Sequence, residues 1–347
     1  MFQYADRPDL PSPILGALMD PAYYDGLASF KENLPPRVVR QAKLMLSATT
    51  LNKSPRQRIL FARHSHKLLI DPLAEMYRMF GHVIHSILEK NGAPGDVIEQ
   101  RVGSMFLGDI YVHGQADRYV PGQRLLQDWK CSKAISLTYP DKDEYHAQLN
   151  VLSVLFGRND HPVERLENVF ILRDWSANYV KEGSLYPKEP IIVAPIPVWE
   201  TERVLDYIRT RAKAHKDAEA LPDDELPFCT DHERWMSDDL YRVVKLTDEG
   251  EMQKVAKFKS ISKIEAEDKL RELAEEAKAK IIADNAAKKK PKDLSQLTFP
   301  SFVIDKRHGV PRKCFHCEMR PFCNQFKAEE AAGRFGQQED ADDGIPA

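Results

Sequence analysis

The sequence predicts a mixed α/β fold, a sheet flanked by helices, with further helical additions and a cysteine-rich segment near the C-terminus. Three observations predict it. A strongly periodic helix near residue 80 is followed by strand-like runs, a second helix and more strand-like runs. Beyond Pro222 the chain turns polar and charged. Three of its five cysteines, Cys314, Cys317 and Cys323, fall within ten residues.

Residues 1–45 are proline-rich and lack a clear period, which predicts surface wrapping or short helices. The run SATTLNKSPRQRILFARH predicts a helix entered near Thr50. In DPLAEMYRMFGHVIHSILEK, Leu73, Met76, Phe80, Ile84, Ile87 and Leu88 recur at helical spacing, and Asn91-Gly92 stops the helix. Residues 102–112 predict a strand ending near Gly114. Residues 118–120, a Pro121-Gly122 turn and residues 124–129 predict a hairpin. A helix over 144–156, strands over 168–173 and 191–198, and a helix over 201–218 capped by Thr201 follow. A charged helix then runs over about 265–287 to the breaker KKKPKD, ahead of a compact cysteine-rich stretch at 313–326. The division expected is an N-terminal helical wrapping region at 1–75, a core at 76–220, a helical and cysteine-bearing region at 221–327, and a disordered acidic tail at 328–347.

Composition narrows the function classes. The chain has 347 residues, 42% hydrophobic and 30% charged, enough apolar surface for a large core under a well-solvated exterior. No run approaches the roughly 18 apolar residues that a membrane span needs, so no membrane partner is expected. The start MFQYADRPDLP lacks the basic and apolar stretches of a secretory signal. Cytoplasmic residence with reduced thiols is the expectation, and five cysteines, an odd count, do not make a disulfide framework. A net charge of −3 does not mark a generally basic nucleic-acid binder. The distribution is uneven: residues 254–292 carry twelve Lys and Arg against seven acids, and residues 328–347 carry six acids and one Arg.

The chemistry concentrates in GDIYVHGQADRYVPGQRLLQDWKCSKA. Asp117 falls on one predicted strand, and Asp128 and Lys130 fall on the next, across the Pro-Gly turn. Residues two apart on a strand face the same side, so Asp128 and Lys130 point to one spot and Trp129 points away. The hairpin can set Asp117 opposite them. Two carboxylates and an ammonium at one point suit phosphodiester hydrolysis. The carboxylates hold a hard cation, Mg2+ or Mn2+, through oxygen. Such a cation polarises phosphate and acidifies water, while the lysine orients that water or stabilises developing negative charge. Asp-x-Lys alone is also what a plain surface ion pair looks like. Here Leu125 and Leu126 precede Asp128 and read as buried, and a charge at the end of a buried strand is costly without a partner or a task.

With two further residues, this set resembles the RecB-like branch of the PD-(D/E)XK nucleases, which includes the CRISPR-associated adaptation exonuclease and AddB-type nucleases. Gly114-x-x-Asp117 followed by Asp128-x-Lys130 matches the two central motifs, and Gly81-x-x-x-His85 matches the first. Gln148, in YHAQLNVL, is similar to the Gln that opens the QxxxY motif, with Leu152 where that motif carries Tyr. The resemblance spans about residues 45–330 and implies a restriction-endonuclease-like core. It implies His85, Asp117, Asp128 and the Trp129 carbonyl as ligands of Mg2+ or Mn2+, with Asp117, Asp128, Lys130 and Gln148 as the catalytic set. Glu89 and Glu99 are weaker candidates outside this set, and His82 reads as structural.

The activity so implied is a DNA exonuclease acting on single strands or ends, in phage or bacterial recombination, replication or repair. It would work in the host cytoplasm, with a helicase or recombinase as partner. RDWSANYV, LYPKEPI and FCTDHERW also resemble phage-encoded nucleases. Arg118, Arg124, Lys133 and Arg173 are candidate phosphate contacts. Tyr119, Tyr145 and Trp175 are candidate stacking surfaces, and Trp129 reads as core. No base-reading motif is present, so little sequence specificity is expected.

Cys314-x2-Cys317-x5-Cys323 supplies three thiolates, and a tetrahedral zinc site or a [4Fe–4S] cluster needs four ligands. Cys229, which opens the segment after the predicted core, is favoured as the fourth over Cys131, which directly follows Lys130. Spacing leaves zinc and iron–sulfur open, and His316 keeps a Cys3His zinc site open as well. The resemblance implies a [4Fe–4S] cluster on Cys229, Cys314, Cys317 and Cys323, although relatives in this branch place the first cysteine before the core. Its work would be structural, since metal-binding free energy is folding free energy. Two other readings fit the sequence: a catalytically silent DNA-binding subunit of a recombination complex, and a zinc-ribbon interaction protein.

Overall fold

The computed structural model describes residues 3–19, 34–138, 143–253 and 261–335. The chain divides into two units, Met1–Pro227 and Phe228–Ala347.

The first unit opens with β1 (Gln3–Tyr4), α1 (Ser12–Leu18) and α2 (Pro36–Gln41). Then come β2 (Leu44–Ser47), α3 (Ala48–Asn52), α4 (Pro55–His64), β3 (Leu69–Ile70) and α5 (Met76–Glu89). Strands β4 (Val97–Phe106), β5 (Ile110–Val120) and β6 (Leu125–Ser132) precede α6 (Asp143–Gly157), β7 (Arg165–Leu172), β8 (Ile191–Ile196) and α7 (Thr201–Asp217). Six strands form one mixed sheet in the order β2-β5-β6-β7-β8, with β4 also on β5. Pairs β2–β5 and β6–β7 are parallel; β4–β5, β5–β6 and β7–β8 are antiparallel. The mixed sheet flanked by helices is the architecture the sequence predicts.

Three elements differ from expectation for identifiable reasons. The helix expected around Thr50 is a strand and two helices. Ser47 ends β2 and caps α3, accepting from the Thr50 N–H at 3.0 Å, and Ser54 followed by Pro55 starts α4 afresh. The single strand expected at 102–112 is instead a hairpin, because the apolar run Phe106-Leu107 continues through its turn. Leu107 and Gly108 both take left-handed φ, +49° and +81°. Helix α7 begins at Thr201, but its N-cap is Glu200, with no side-chain cap bond.

Strand β5 organises the unit. Strand β4 pairs along one of its edges from Ile110 to Tyr119. The other edge is shared: β2 takes residues 110–113 and β6 takes 118–120. Between them lies a gap containing Gly114 and Asp117. Helix α6 packs against this region, and its Leu149, Leu152, Leu155 and Phe156 join Val112, Leu126, Val204 and Ile208 in one buried cluster. Gly114 is required here, since a Cβ at that position would overlap the Leu152 side chain. Asn150, fully buried on α6, donates to the Pro197 carbonyl at 3.1 Å and accepts from the Trp199 N–H at 2.7 Å, tying α6 to the entry of α7.

The second unit holds two strands the sequence did not predict, β9 (Leu240–Lys245) and β10 (Phe302–Arg307), paired antiparallel. Between them runs α8 (Lys263–Ala286), started by a reciprocal Ser262–Glu265 capping box. Then come α9 (Arg312–Phe315) and α10 (Asn324–Ala331). Helix α10 takes in the first residues of the stretch expected to be a disordered tail; residues 336–347 lie outside the described residues.

Candidate active site and cysteine cluster

His85, Glu99 and Asp117 come together from three elements. Among the described residues they form the group whose ligand atoms all lie within 4.8 Å of one another. Helix α5 delivers His85, with Nδ1 3.3 Å from Asp117 Oδ1 and 3.4 Å from Glu99 Oε1. The other ring nitrogen, Nε2, sits 3.2 Å from the Trp129 carbonyl oxygen on β6. Asp117 also accepts a short hydrogen bond from the Trp129 N–H. Its carboxylate thus takes over a main-chain donor where β5 and β6 part. Hydrogen bonds to Asp117 and Glu99 push the His85 pKa up to about 10, outweighing burial.

Glu99 is the residue sequence reasoning set outside the site. It lies opposite Asp117 in the β4–β5 register, between the pairs Ile98–Arg118 and Gln100–Ala116, and a φ of +50° interrupts the ladder there. Burial raises the Glu99 pKa, but hydrogen bonds from His85 and Gln115 outweigh it and hold the group below its ordinary value. Gln115, held in turn by Arg101 at 2.7 Å, closes a short hydrogen bond onto the Glu99 carboxylate. One sequence signal could have found Glu99: a hairpin centred on Gly108 puts residues 99 and 117 directly across from each other.

Asp128, Lys130 and Gln148 form a second, adjoining group. The Lys130 ammonium is 2.5 Å from Asp128 Oδ2 and donates to Gln148 Oε1 at 3.4 Å. The Gln148 amide donates to Asp128 Oδ1 at 3.2 Å. Asp128 is buried, and that burial pushes its carboxyl pKa up; Lys130 pulls it back and nearby Asp117 raises it again. Burial alone would lower the lysine, but the charge of Asp128 outweighs it and holds Lys130 above its usual value. Asp128 is therefore paired with Lys130, and it lies near enough to Asp117 and His85 to feel the charge of both.

The expected DNA contacts are placed unevenly. Arg118 is bound to Asp96 at 2.7 Å and to Gln127 at 3.0 Å. Lys133 is exposed beyond the end of β6. Tyr145 packs on Phe170 in a small apolar cluster, with the Lys130 ammonium 5.2 Å above its ring, so it is a wall of the site. Arg173 donates to the Cys131 carbonyl at 3.1 Å. Arg124 takes a left-handed turn position and pairs with Glu164. Trp129 is buried.

In the second unit, the structure draws Cys229 to the C-terminal triplet. Gln325 clamps its backbone, accepting from the Cys229 N–H at 2.8 Å and donating to the Cys229 carbonyl at 2.9 Å. Burial first, then the neighbouring Cys229, Cys317 and Cys323, push the Cys314 thiol up to about 12. Burial likewise raises Cys317. Among the described residues, no three cysteine sulfurs lie within 4.8 Å of one another. Arg234 braces the region through Asp231 and Glu329, each at 2.6 Å. All five cysteines are free of disulfides.

No protein-family model matches the sequence, and no curated protein matches it significantly. Among solved structures, the chain is similar to SSO0001, at 14% identity and a TM-score of 0.37, over 55% of this chain and 82% of that one. It is also similar to a phage-related exonuclease from Haemophilus somnus 129PT, at 15% identity and a TM-score of 0.34, over 50% of this chain and 92% of that one. At that level the likeness says nothing of chemistry; the side chains do. No helix among the described residues is long and apolar enough to cross a membrane.

Proposed function

We propose that the chain is a divalent-metal-dependent deoxyribonuclease of the PD-(D/E)XK type, acting on single strands or DNA ends. The observation that carries the reading is the convergence of His85, Glu99 and Asp117 beside the buried Asp128–Lys130–Gln148 chain. Two carboxylates and one imidazole are a hard, oxygen-rich donor set, which suits Mg2+ or Mn2+. His85, Glu99 and Asp117 would hold the ion, with the Trp129 carbonyl beside them and Asp128 adjoining. When bound, the ion polarises the phosphate and lowers the pKa of water.

The chain's own residues do the rest. Lys130, steered by Asp128 and Gln148, orients a water toward phosphorus and offers its ammonium to the charge that builds on the phosphate. The water oxygen forms a bond to phosphorus as the bridging ester oxygen leaves; the water's proton goes to solvent, and the leaving oxygen takes one up. Lys130→Ala should abolish Mn2+-dependent cleavage of end-labelled DNA and leave DNA binding in place. Cleavage at the wild-type rate by that variant would overturn the reading, and circular DNA in the same assay separates exonuclease from endonuclease action.

Cys229, Cys314, Cys317 and Cys323 would hold a [4Fe–4S] cluster. Cys229, whose backbone Gln325 clamps, and the C-terminal triplet together supply the four sulfur donors that such a cluster needs. Iron and sulfide analysis with a visible absorption spectrum tests this; stoichiometric zinc and a colourless protein would overturn it.

A further inference from the structure

Helix α5 carries more than His85. Earlier on the same helix, Tyr77 and Phe80 stand 49% and 40% exposed, their rings edge to face with centroids 6.5 Å apart. No residue of α5 is fully buried. The Arg173 guanidinium lies over the Tyr77 ring, 4.3 Å from its centroid, and also donates to the Cys131 carbonyl at 3.1 Å. Cys131 directly follows Lys130 on β6. One cation thus links an exposed aromatic pair to the strand that carries Lys130.

We propose that Tyr77, Phe80 and Arg173 form a base-stacking subsite, which takes an unpaired nucleotide of a single-stranded polynucleotide whose backbone runs on toward Lys130. This rests on the nuclease reading. An exposed aromatic face is sequence-tolerant because every base has a π-face to offer, and stacking is worth enough to anchor a strand. A base within a duplex has both faces covered by its neighbours; an unpaired one does not. Arg173 adds the complementary charge: a planar guanidinium stacks on a ring and still presents N–H groups to phosphate. A patch built only for an apolar protein helix would have no use for that cation over its most exposed ring.

The test measures binding by fluorescence anisotropy on the full chain in EDTA, where no metal-dependent cleavage competes. Three probes are compared: a labelled single-stranded oligonucleotide, the same strand with abasic sites, and a duplex. The wild-type protein should bind the abasic strand about tenfold more weakly than the natural one. Combined Tyr77→Ala and Phe80→Ala substitutions should cost about tenfold on the natural strand and almost nothing on the abasic strand or duplex. Tyr77→Trp should keep the natural-strand affinity. Equal losses on natural and abasic strands overturn the proposal, as does no loss on either. So does a double variant whose only change, by light scattering, is in self-association. Failure of the wild type to cut any DNA in Mn2+ would sink the nuclease reading, whereas base-dependent binding is read without turnover.

Discussion

Glu99 sits at φ +50° with an L side chain, a backbone state that costs about 1–2 kcal/mol. Strain of this kind gathers where function demands a geometry. Glycine tolerates that φ, so in EDTA the Glu99→Gly variant should be about 1 kcal/mol more stable than Glu99→Ala in thermal unfolding. Both should lose at least tenfold in Mn2+ affinity by calorimetry; unchanged affinity would remove Glu99 from the ligand set. A second residue gives a pH dependence. His215 on α7 is fully buried and accepts from Arg58 at 3.0 Å. Burial and then Arg58 hold its pKa down at about 4. The unfolded chain therefore binds the proton first. The stability is fully present above about pH 6.5 and is lost as pH falls toward 4, at about 1.4 kcal/mol per pH unit. His215→Gln should flatten that part of the pH–stability curve. At this scale Asp117, Asp128 and Lys130 were legible because one Pro-Gly hairpin relates them, and His85 and Gln148 entered through motif resemblance. Glu99 was not, since its place depends on a second hairpin whose turn is hidden in an apolar run.

At the scale of elements, the tight approach of α6 to β5 decides the site's shape. Gly114 leaves room for Leu152. Gly114→Ala should destabilise by about 1–3 kcal/mol through overpacking. In a Leu152→Ala background, itself costly by about 2–5 kcal/mol, most of the Gly114→Ala penalty should vanish. Additive losses in urea unfolding would falsify this account of the glycine. Helix α5 was readable from its apolar period, and α8 as a long charged run ahead of a breaker. The short strand β2 was not, because four residues carry little period and its partner β5 is remote in sequence. Strands β9 and β10 escaped for the same reason, lying 57 residues of chain apart at Lys245 and Phe302.

At the scale of the whole molecule, the chain separates at Pro227 and Phe228, close to the compositional shift at Pro222. Each unit carries one candidate centre: a hard donor set in the first, cysteine sulfurs in the second. Binding free energy at the thiolates is folding free energy for the segment they close. On the proposed iron–sulfur reading, removing iron from anaerobically purified protein should therefore expose residues beyond 227 to protease and leave the first unit resistant; equal protection before and after removal would refute that role. Composition and cysteine spacing carry no trace of the sheet's arrangement, whose parallel pairs join strands remote in sequence.

The β4–β5 turn at residues 107–109 stands about 30 Å along the strand from Glu99. Because side chains alternate faces at every step, gaining or losing one residue at that tip would rotate Glu99 out of line with Asp117. The length of a distal loop is thus a ruler for the chemistry, and an indel there would disarm the centre without altering any atom in it.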